Sequence, residues 1–368
     1  MERPVPVVDD GRRALWLGER RVRGTRREPV TSPDSVLDVL VEAGRLGDAD
    51  RSKNWALRQL AGGWSRHTWL LSEGEGEPAQ GEAFVVRVKP PASLLDSDLD
   101  LEYRLYKTVA AAGVTVPTPY GIEHATDTPL GGSWFVMDWV PGAAPVTWLR
   151  RDREALEADW AGGGRLGRDL VETLAAIHAI PASELGFLGP PRSYADAIDV
   201  WARTYEQDRL VRDPVVEDAF AWLREREPDP VPPALVHGDY RIGNTMIHDG
   251  RIAAVVDWEL AYLGDPRYDL GYAALDYLGG KFIEPGSALL EAVCDRDWFF
   301  RAYEQLRATT VDPEVVRSYS VLGALALICI LLTGIRTYAD GRTADVRMAW
   351  NRYAVPGLRQ DIVRLMGW

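Results

Sequence analysis

The stretch ALVHGDYRIGNTMIHDGRIAAVVDWELAYLGDPRYDLG, residues 234–271, decides how the rest of the chain is read. Ala234, Leu235 and Val236 form a short apolar run, as expected of a buried segment feeding a site. Residues 245–248 and 251–256 are two β-prone runs, and Asp249-Gly250 stands between them. An Asp-Gly pair in that place is a strong hairpin signal, because both central residues of the tight turn need positive φ. Closing the hairpin brings the start of the first run beside the end of the second. Asn244 and Asp257 flank those two ends, and Asp239 precedes Asn244 by five positions. An amide oxygen and a carboxylate converging at a hairpin base suit a hard cation such as Mg²⁺, which takes oxygen ligands and keeps several waters. A further carboxylate beside them can orient a hydroxyl and accept its proton. His237 is read as a brace for the loop backbone, and Gly238 as the residue that permits its tight turn.

HGDYRIGN followed by VVDWELAYLGDPRYDLGY resembles the aminoglycoside phosphotransferase family, a small-molecule branch of the protein-kinase-like fold. It is most similar to the kinase-like domains fused to, or encoded beside, acyl-CoA dehydrogenases. The match rests on several residues at fixed spacings, which a buried polar network without chemistry would not need together. The resemblance implies Asp239 as catalytic base, and Asn244 and Asp257 as ligands of a magnesium ion bound with ATP or another nucleoside triphosphate. Trp258-Glu259 stands where protein kinases carry Phe-Gly, and no Ala-Pro-Glu segment or activation loop is evident. A protein substrate is therefore not expected.

Composition sets the outer bounds. The chain has 368 residues, enough for a large core and two subdomains. A net charge of −13 argues against a general binder of nucleic acid or anionic membrane, either of which would need a basic face. Acidity is compatible with a cationic substrate, but it also simply aids solubility. Cys294 and Cys329 lie far apart in apolar surroundings and read as reduced core residues, in keeping with a cytoplasmic setting. No signal peptide is visible. The long apolar run at 321–335 is short for a membrane span and reads as a core helix.

Outward from the motif, residues 1–30 form an arm with little periodicity, and 31–44 carry helix signals. Strands are expected at 57–60, 68–71 and 83–88. Gly62-Gly63-Trp64-Ser65 is a small-residue turn that can present backbone N–H groups to phosphate. In the family a Gly-Gly-x-Ser loop of this kind binds nucleotide, which implies that role for Gly62, Gly63 and Ser65. Kinases place a lysine on the third strand to hold phosphates. Here Arg87 stands at that place, with Lys89 on the same side of the strand as the reserve. Residues 98–112 are helical, and by resemblance Glu102 pairs with the strand cation. A plain surface glutamate is the competing reading. Residues 133–140 form a strand broken by Pro141-Gly142. By resemblance it ends in a hinge, with Met137 lining the adenine pocket and the backbone of Asp138 and Val140 bonding the adenine edge.

Helices are expected at 166–178, 194–204 and 214–226. His178 ends the first of these, where interaction with free carbonyls is the simplest reading. Residues 181–233 form an insert that small-molecule kinases carry and protein kinases lack. It is expected to wall the acceptor pocket, with Trp201, Tyr205 and Trp222 as its aromatics. Asp269 braces the catalytic loop and Asp265 caps the following helix.

The expected architecture is α+β and bilobal, protein-kinase-like. It comprises an arm (1–30), a small β-rich lobe (31–140) and a large, mainly helical lobe (141–368). The expected reaction moves the γ-phosphoryl group of ATP to the hydroxyl of a small molecule. The resemblance points to a hydroxyacyl-CoA or related metabolite. An aminoglycoside or other antibiotic, and a nucleotide-binding pseudokinase, are the alternatives. A metal-dependent hydrolase built on His237 lacks a histidine pair at ligand spacing. Oligomeric state is not legible.

Overall fold

The computed structural model describes residues 32–60, 66–74, 78, 82–90, 97–279 and 288–368. The expected arm and the Gly62-Gly63-Trp64-Ser65 turn lie outside them.

The smaller lobe is a five-stranded antiparallel sheet in the order β1-β2-β3-β5-β4. Its strands are β1 (Trp55–Gln59), β2 (His67–Glu73), β3 (Ala83–Lys89), β4 (Pro119–Glu123) and β5 (Ser133–Asp138). Side chains alternate across a strand, so each strand serves two faces. Phe84, Val86 and Val88 of β3, with Trp134 and Val136 of β5, face Val36, Leu37 and Leu40 of α1 (Asp34–Glu42). The opposite parity puts Phe135 and Met137 of β5 in contact with Tyr106 and Leu105 of α2 (Leu99–Ala111). Arg87 shares that second parity, which sends it toward α2 and away from α1. Asp98 caps α2 by accepting the Asp100 N–H. β4 was not expected as a strand. Its Pro119 starts the strand and a register shift follows at once, both of which blur a period-2 pattern.

The larger lobe is helical and hangs on α10 (Pro313–Ala339), with the shorter helices α3 (Arg150–Ala161), α4 (Arg165–His178), α5 (Tyr194–Asp208), α6 (Pro214–Arg224), α7 (Arg267–Ala273), α8 (Leu289–Val293), α9 (Arg296–Arg307), α11 (Val346–Trp350) and α12 (Val355–Met366). α10 is apolar and long enough to cross a membrane, yet α5, α6, α7, α11 and α12 pack around it. It packs tightly against α7. A Cβ on Gly271 would lie 2.6 Å from the Tyr319 Cβ, so only glycine fits there, and the Ser320 hydroxyl donates to the Gly271 carbonyl at 2.8 Å.

Two further sheets, each of two strands, belong to the larger lobe. β7 (Thr245–His248) and β8 (Arg251–Val255) form the expected hairpin, with Asp249 and Gly250 at φ 49° and 69°. β6 (Ala234–Val236) pairs antiparallel with β9 (Tyr262–Gly264). The hairpin is fastened on three sides. Ile247 and Ala143 exchange backbone hydrogen bonds just past β5, the Val255 N–H donates to the Thr115 carbonyl, and the Ile252 N–H donates to Asp169 of α4.

Candidate active site

The β6–β9 pairing sets the loop that carries Asp239 opposite the residues that follow the hairpin. After β6 the chain turns through His237 and Gly238. Gly238 has φ 85°, and a Cβ there would lie 2.6 Å from the Leu260 carbonyl oxygen. Glycine is therefore required twice over, by conformation and by space.

Asp269, fully buried on α7, holds the turn. Its carboxylate accepts the N–H groups of His237 and Gly238 at 2.8 and 2.9 Å. His178 approaches the same carboxylate at 3.1 Å through Nε2 and meets the Tyr303 hydroxyl at 2.8 Å through Nδ1. The histidine thus buttresses Asp269 in the interior and does not serve free carbonyls at the end of α4, as the sequence had led us to expect. His237 is turned to the backbone. Its Nδ1 accepts the Asp239 N–H at 3.2 Å, and Nε2 lies 3.2 Å from the Val256 carbonyl. Accepting at Nδ1 leaves the proton on Nε2, so this ring clamps loop to hairpin. Asp265 accepts the Arg267 N–H at the start of α7 and also pairs with the Arg267 guanidinium.

Asp239 is held at both oxygens. Arg241 Nε donates to Oδ1 at 3.0 Å, and Asn244 Nδ2 donates to Oδ2 at 2.7 Å. Asn244 Nδ2 also reaches the Asp239 carbonyl at 2.9 Å. The amide nitrogen is therefore committed, and Oδ1 is the atom Asn244 can offer a cation. The Val256 N–H donates to the Asn244 carbonyl at 2.9 Å, which sets Asn244 beside the residue before Asp257. The hairpin does bring the amide and the two acids to one place. Asp257 adopts φ 73°, unusual for a residue with a side chain. Such strain persists only where surroundings enforce it, and its N–H contact with the Tyr106 hydroxyl at 3.3 Å is part of that enforcement. One carboxylate and one amide oxygen are hard donors of the kind Mg²⁺ takes, with phosphate and water to complete the shell.

Arg87 enters from the sheet. Its Nη2 lies 3.1 Å from Glu102 Oε1 and 3.0 Å from Asp257 Oδ1. Burial alone would lower the pKa of this guanidinium, but the two carboxylates more than offset it and raise it. Glu102 is only 1 % exposed, so the surface-glutamate reading fails. Its second oxygen faces Arg66 Nε at 3.2 Å, a partner the sequence did not reveal. Lys89 turns to the Ser97 carbonyl at 2.8 Å, and so Arg87 is the cation joined to Glu102 and Asp257.

Met137 is buried on β5 opposite Val85. The Asp138 N–H is taken by the Thr118 carbonyl at 2.9 Å, and its side chain accepts from the Tyr120 hydroxyl at 2.7 Å. Of its backbone groups, only the carbonyl of Asp138 is left for an adenine edge. Val140 follows the end of the strand, before the turn at Gly142. Gly62, Gly63 and Ser65 fall outside the described residues.

Sequence reasoning missed Arg66, Arg241 and Tyr272 at this site. The buried Tyr272 hydroxyl faces Asp239, and burial first, then that negative charge, push its pKa well above the usual value. Arg241 was within the motif but carried no pattern of its own. Tyr272 was separable from the other α7 aromatics only by packing.

A family model described as the phosphotransferase enzyme family matches residues 56–309. The chain belongs to this family. It is 32% identical over 231 residues to acyl-CoA dehydrogenase family member 11 of Gallus gallus. That match takes in 60% of this chain and 28% of the relative, so the chain spans under a third of that relative's length. Among solved structures, a protein of Ralstonia eutropha JMP134 assigned to the aminoglycoside phosphotransferases shares the fold at a TM-score of 0.65 and 22% identity, over 91% of this chain and 98% of that one. The aminoglycoside phosphotransferase APH(4)-Ia, solved in a ternary complex with ADP and hygromycin B, superposes at 0.55 and 20% identity, over 89% and 98%. The fold of this family member is thus α+β, bilobal and kinase-like.

Proposed function

We propose that the protein transfers the γ-phosphoryl group of ATP to a hydroxyl of a small metabolite. The observation that carries this reading is the convergence of Asp239, Asn244 and Asp257 at the hairpin base, with Arg87 joined to Asp257. In this reading the lobes meet near Val140, and nucleotide lies between them. Gly62, Gly63 and Ser65 cradle phosphate, and Arg87 holds it, itself held by Glu102. Met137 and the backbone of Asp138 and Val140 receive the adenine. Asn244 Oδ1 and the Asp257 carboxylate hold Mg²⁺, which when bound supplies charge to offset the phosphates.

Asp239 performs the protein's own step. With one oxygen on Arg241 and the other on Asn244, its carboxylate is fixed in orientation before the acceptor arrives. It takes the proton of the hydroxyl as the oxygen attacks phosphorus in line with the leaving ADP. Little other covalent work is asked of the protein, because phosphoryl transfer is mostly positioning and charge neutralisation. The likeness to an acyl-CoA dehydrogenase family member supports a hydroxyacyl-CoA or related hydroxy metabolite as acceptor, in a cytoplasmic setting that suits the two buried thiols. Labelled ATP offered with hydroxyacyl-CoAs, hydroxy acids and aminoglycosides, to wild type and Asp239→Asn, tests it. Transfer to a hydroxy metabolite that falls at least about 100-fold in the variant is expected. Undiminished transfer would remove Asp239 as the base, and transfer to aminoglycosides alone would remove the acceptor class.

A further inference from the structure

Beside the loop that carries Asp239 lies a cavity of about 280 Å³ whose lining mixes apolar, aromatic and charged side chains. Gly238, the residue before Asp239, and Leu260 border it at the catalytic side. Val200 and Trp201 of α5 also line it, so the insert does contribute an aromatic to a pocket, while Tyr205 and Trp222 go to the core. Among the described residues the lining holds two charges, Glu259 and Arg192. Glu259 precedes β9 in the chain, whereas Arg192 precedes α5 and meets β9 through its backbone. Glu259 is two residues past Asp257, and its charge is felt by Arg87. Arg192 lies over Tyr262, with Cζ 4.6 Å from the ring centroid, and its backbone N–H donates to the Leu263 carbonyl at 2.8 Å. The guanidinium forms no ion pair among the described residues, whereas most arginines of this chain do. It is exposed at the cavity edge and fixed by the tyrosine face beneath it. The neighbouring acid Asp196 is engaged with the Ser193 N–H and hydroxyl in the cap of α5.

We propose that Arg192 sets acceptor specificity by binding an anionic group of the acceptor, whose hydrocarbon body lies along Val200, Trp201 and Leu260 and whose hydroxyl reaches Asp239. This rests on the phosphotransfer reading above and narrows it to amphipathic hydroxy acids. A polycationic acceptor would meet an unpaired guanidinium and apolar walls, with one carboxylate to receive it. The anion is either the carboxylate of a free hydroxy acid or a phosphate of a carrier thioester. The two share the chemistry that a planar guanidinium recognises.

The test is calorimetric binding of beta-hydroxyoctanoate, its neutral methyl ester and its CoA thioester to wild type, Arg192→Ala and Arg192→Lys, with circular dichroism to confirm folding. The acid or the thioester is expected to bind wild type about tenfold more tightly than the ester. That advantage disappears in Arg192→Ala and is partly kept in Arg192→Lys. Which of the two anionic probes shows it identifies the source of the charge. An advantage that persists in Arg192→Ala, or no binding of any of the three, overturns the proposal. Phosphoryl transfer to the same probes is scored separately. Arg192-dependent binding without transfer would sink the phosphotransfer reading alone, and transfer indifferent to Arg192 would sink this inference alone.

Discussion

Arg87 Nη2 stands 3.0 Å from Asp257 Oδ1, joining the third strand of the sheet to the foot of the hairpin across 170 residues of chain. The contact fixes the distance between the strand cation and the acid at the hairpin's foot, the two residues proposed above to hold phosphate and metal. Glu102 restrains the same guanidinium from the other side. An alanine at 87 removes the cation and leaves its two acids facing each other. We expect Arg87→Ala to raise KM for ATP by about 10- to 100-fold, the range for losing a hydrogen bond to a charged group. Arg87→Lys is expected to fall between, since a lysine supplies the charge but not the two-pronged geometry. Steady-state kinetics at varied ATP decide it, and an unchanged KM in the alanine variant would remove Arg87 from the nucleotide site.

Glu102 makes a different prediction, about folding. It lies between two guanidinium groups, and the Arg66 and Glu102 side chains are each 1 % exposed. Removing the acid leaves Arg66 buried without that counter-charge. Breaking a buried pair from one side costs about 3–5 kcal/mol. Glu102→Ala should lose that much in urea unfolding. Glu102→Gln, which keeps hydrogen-bonding oxygen but not charge, should lose less. A loss under about 1 kcal/mol for the alanine variant would mean that the pair adds little to the fold.

What the sequence revealed followed physical locality. The β7–β8 hairpin was legible because Asp249-Gly250 is a local device, and it carried Asn244 and Asp257 with it. α10 was legible because its apolar run is unbroken. The pairing of β6 with β9 was not, since each strand has three residues and their union is decided by packing. α3 was hidden for the opposite reason. Its sequence RRDREALEADWA is mostly charged, and Leu156 is its one buried residue, so no apolar stripe announces it. Arg66 could not be singled out either, because an arginine beside a turn looks like any solvated charge until α2 closes over it.

Asp269 was expected to brace the loop, and the mode of bracing gives a measurable consequence. Its two oxygens accept two backbone N–H groups in the buried turn that carries Asp239. Asparagine has one oxygen to accept with, so Asp269→Asn leaves one N–H without its acceptor. The cost is about 1–3 kcal/mol in stability. The turn would also be less tightly placed, and misplacement by an ångström can cost 100-fold in rate, so kcat should drop by at least about tenfold. KM for ATP should hardly move, because Asp269 does not border Arg87 or the hinge strand. A kcat equal to wild type would show that His237 positions the loop without it.

The last prediction concerns pH, and it comes from tyrosines crowded around the same loop. Burial is the leading cause that raises the phenol pKa of Tyr240, Tyr262, Tyr268 and Tyr272, and nearby acids such as Asp269 and Asp239 add to it. Tyr194 is pushed up to about 12, again chiefly by burial. Each of these groups stays neutral in the folded protein but ionises near its ordinary value of 10 once unfolded. A pKa raised by folding means that the unfolded chain holds fewer protons above pH 10. Stability is then fully present below pH 10 and is lost as pH rises toward the folded values. Melting temperature should be flat from neutral pH to about 10 and fall steeply above it. Tyrosinate absorbance should rise together with loss of circular dichroism, because these phenols ionise only when the loop comes apart. Ionisation of the loop phenols themselves with the fold intact, beyond that of exposed tyrosines such as Tyr353, would show that water reaches the loop, and the packing that fixes Asp239 would then have to be assigned to other groups.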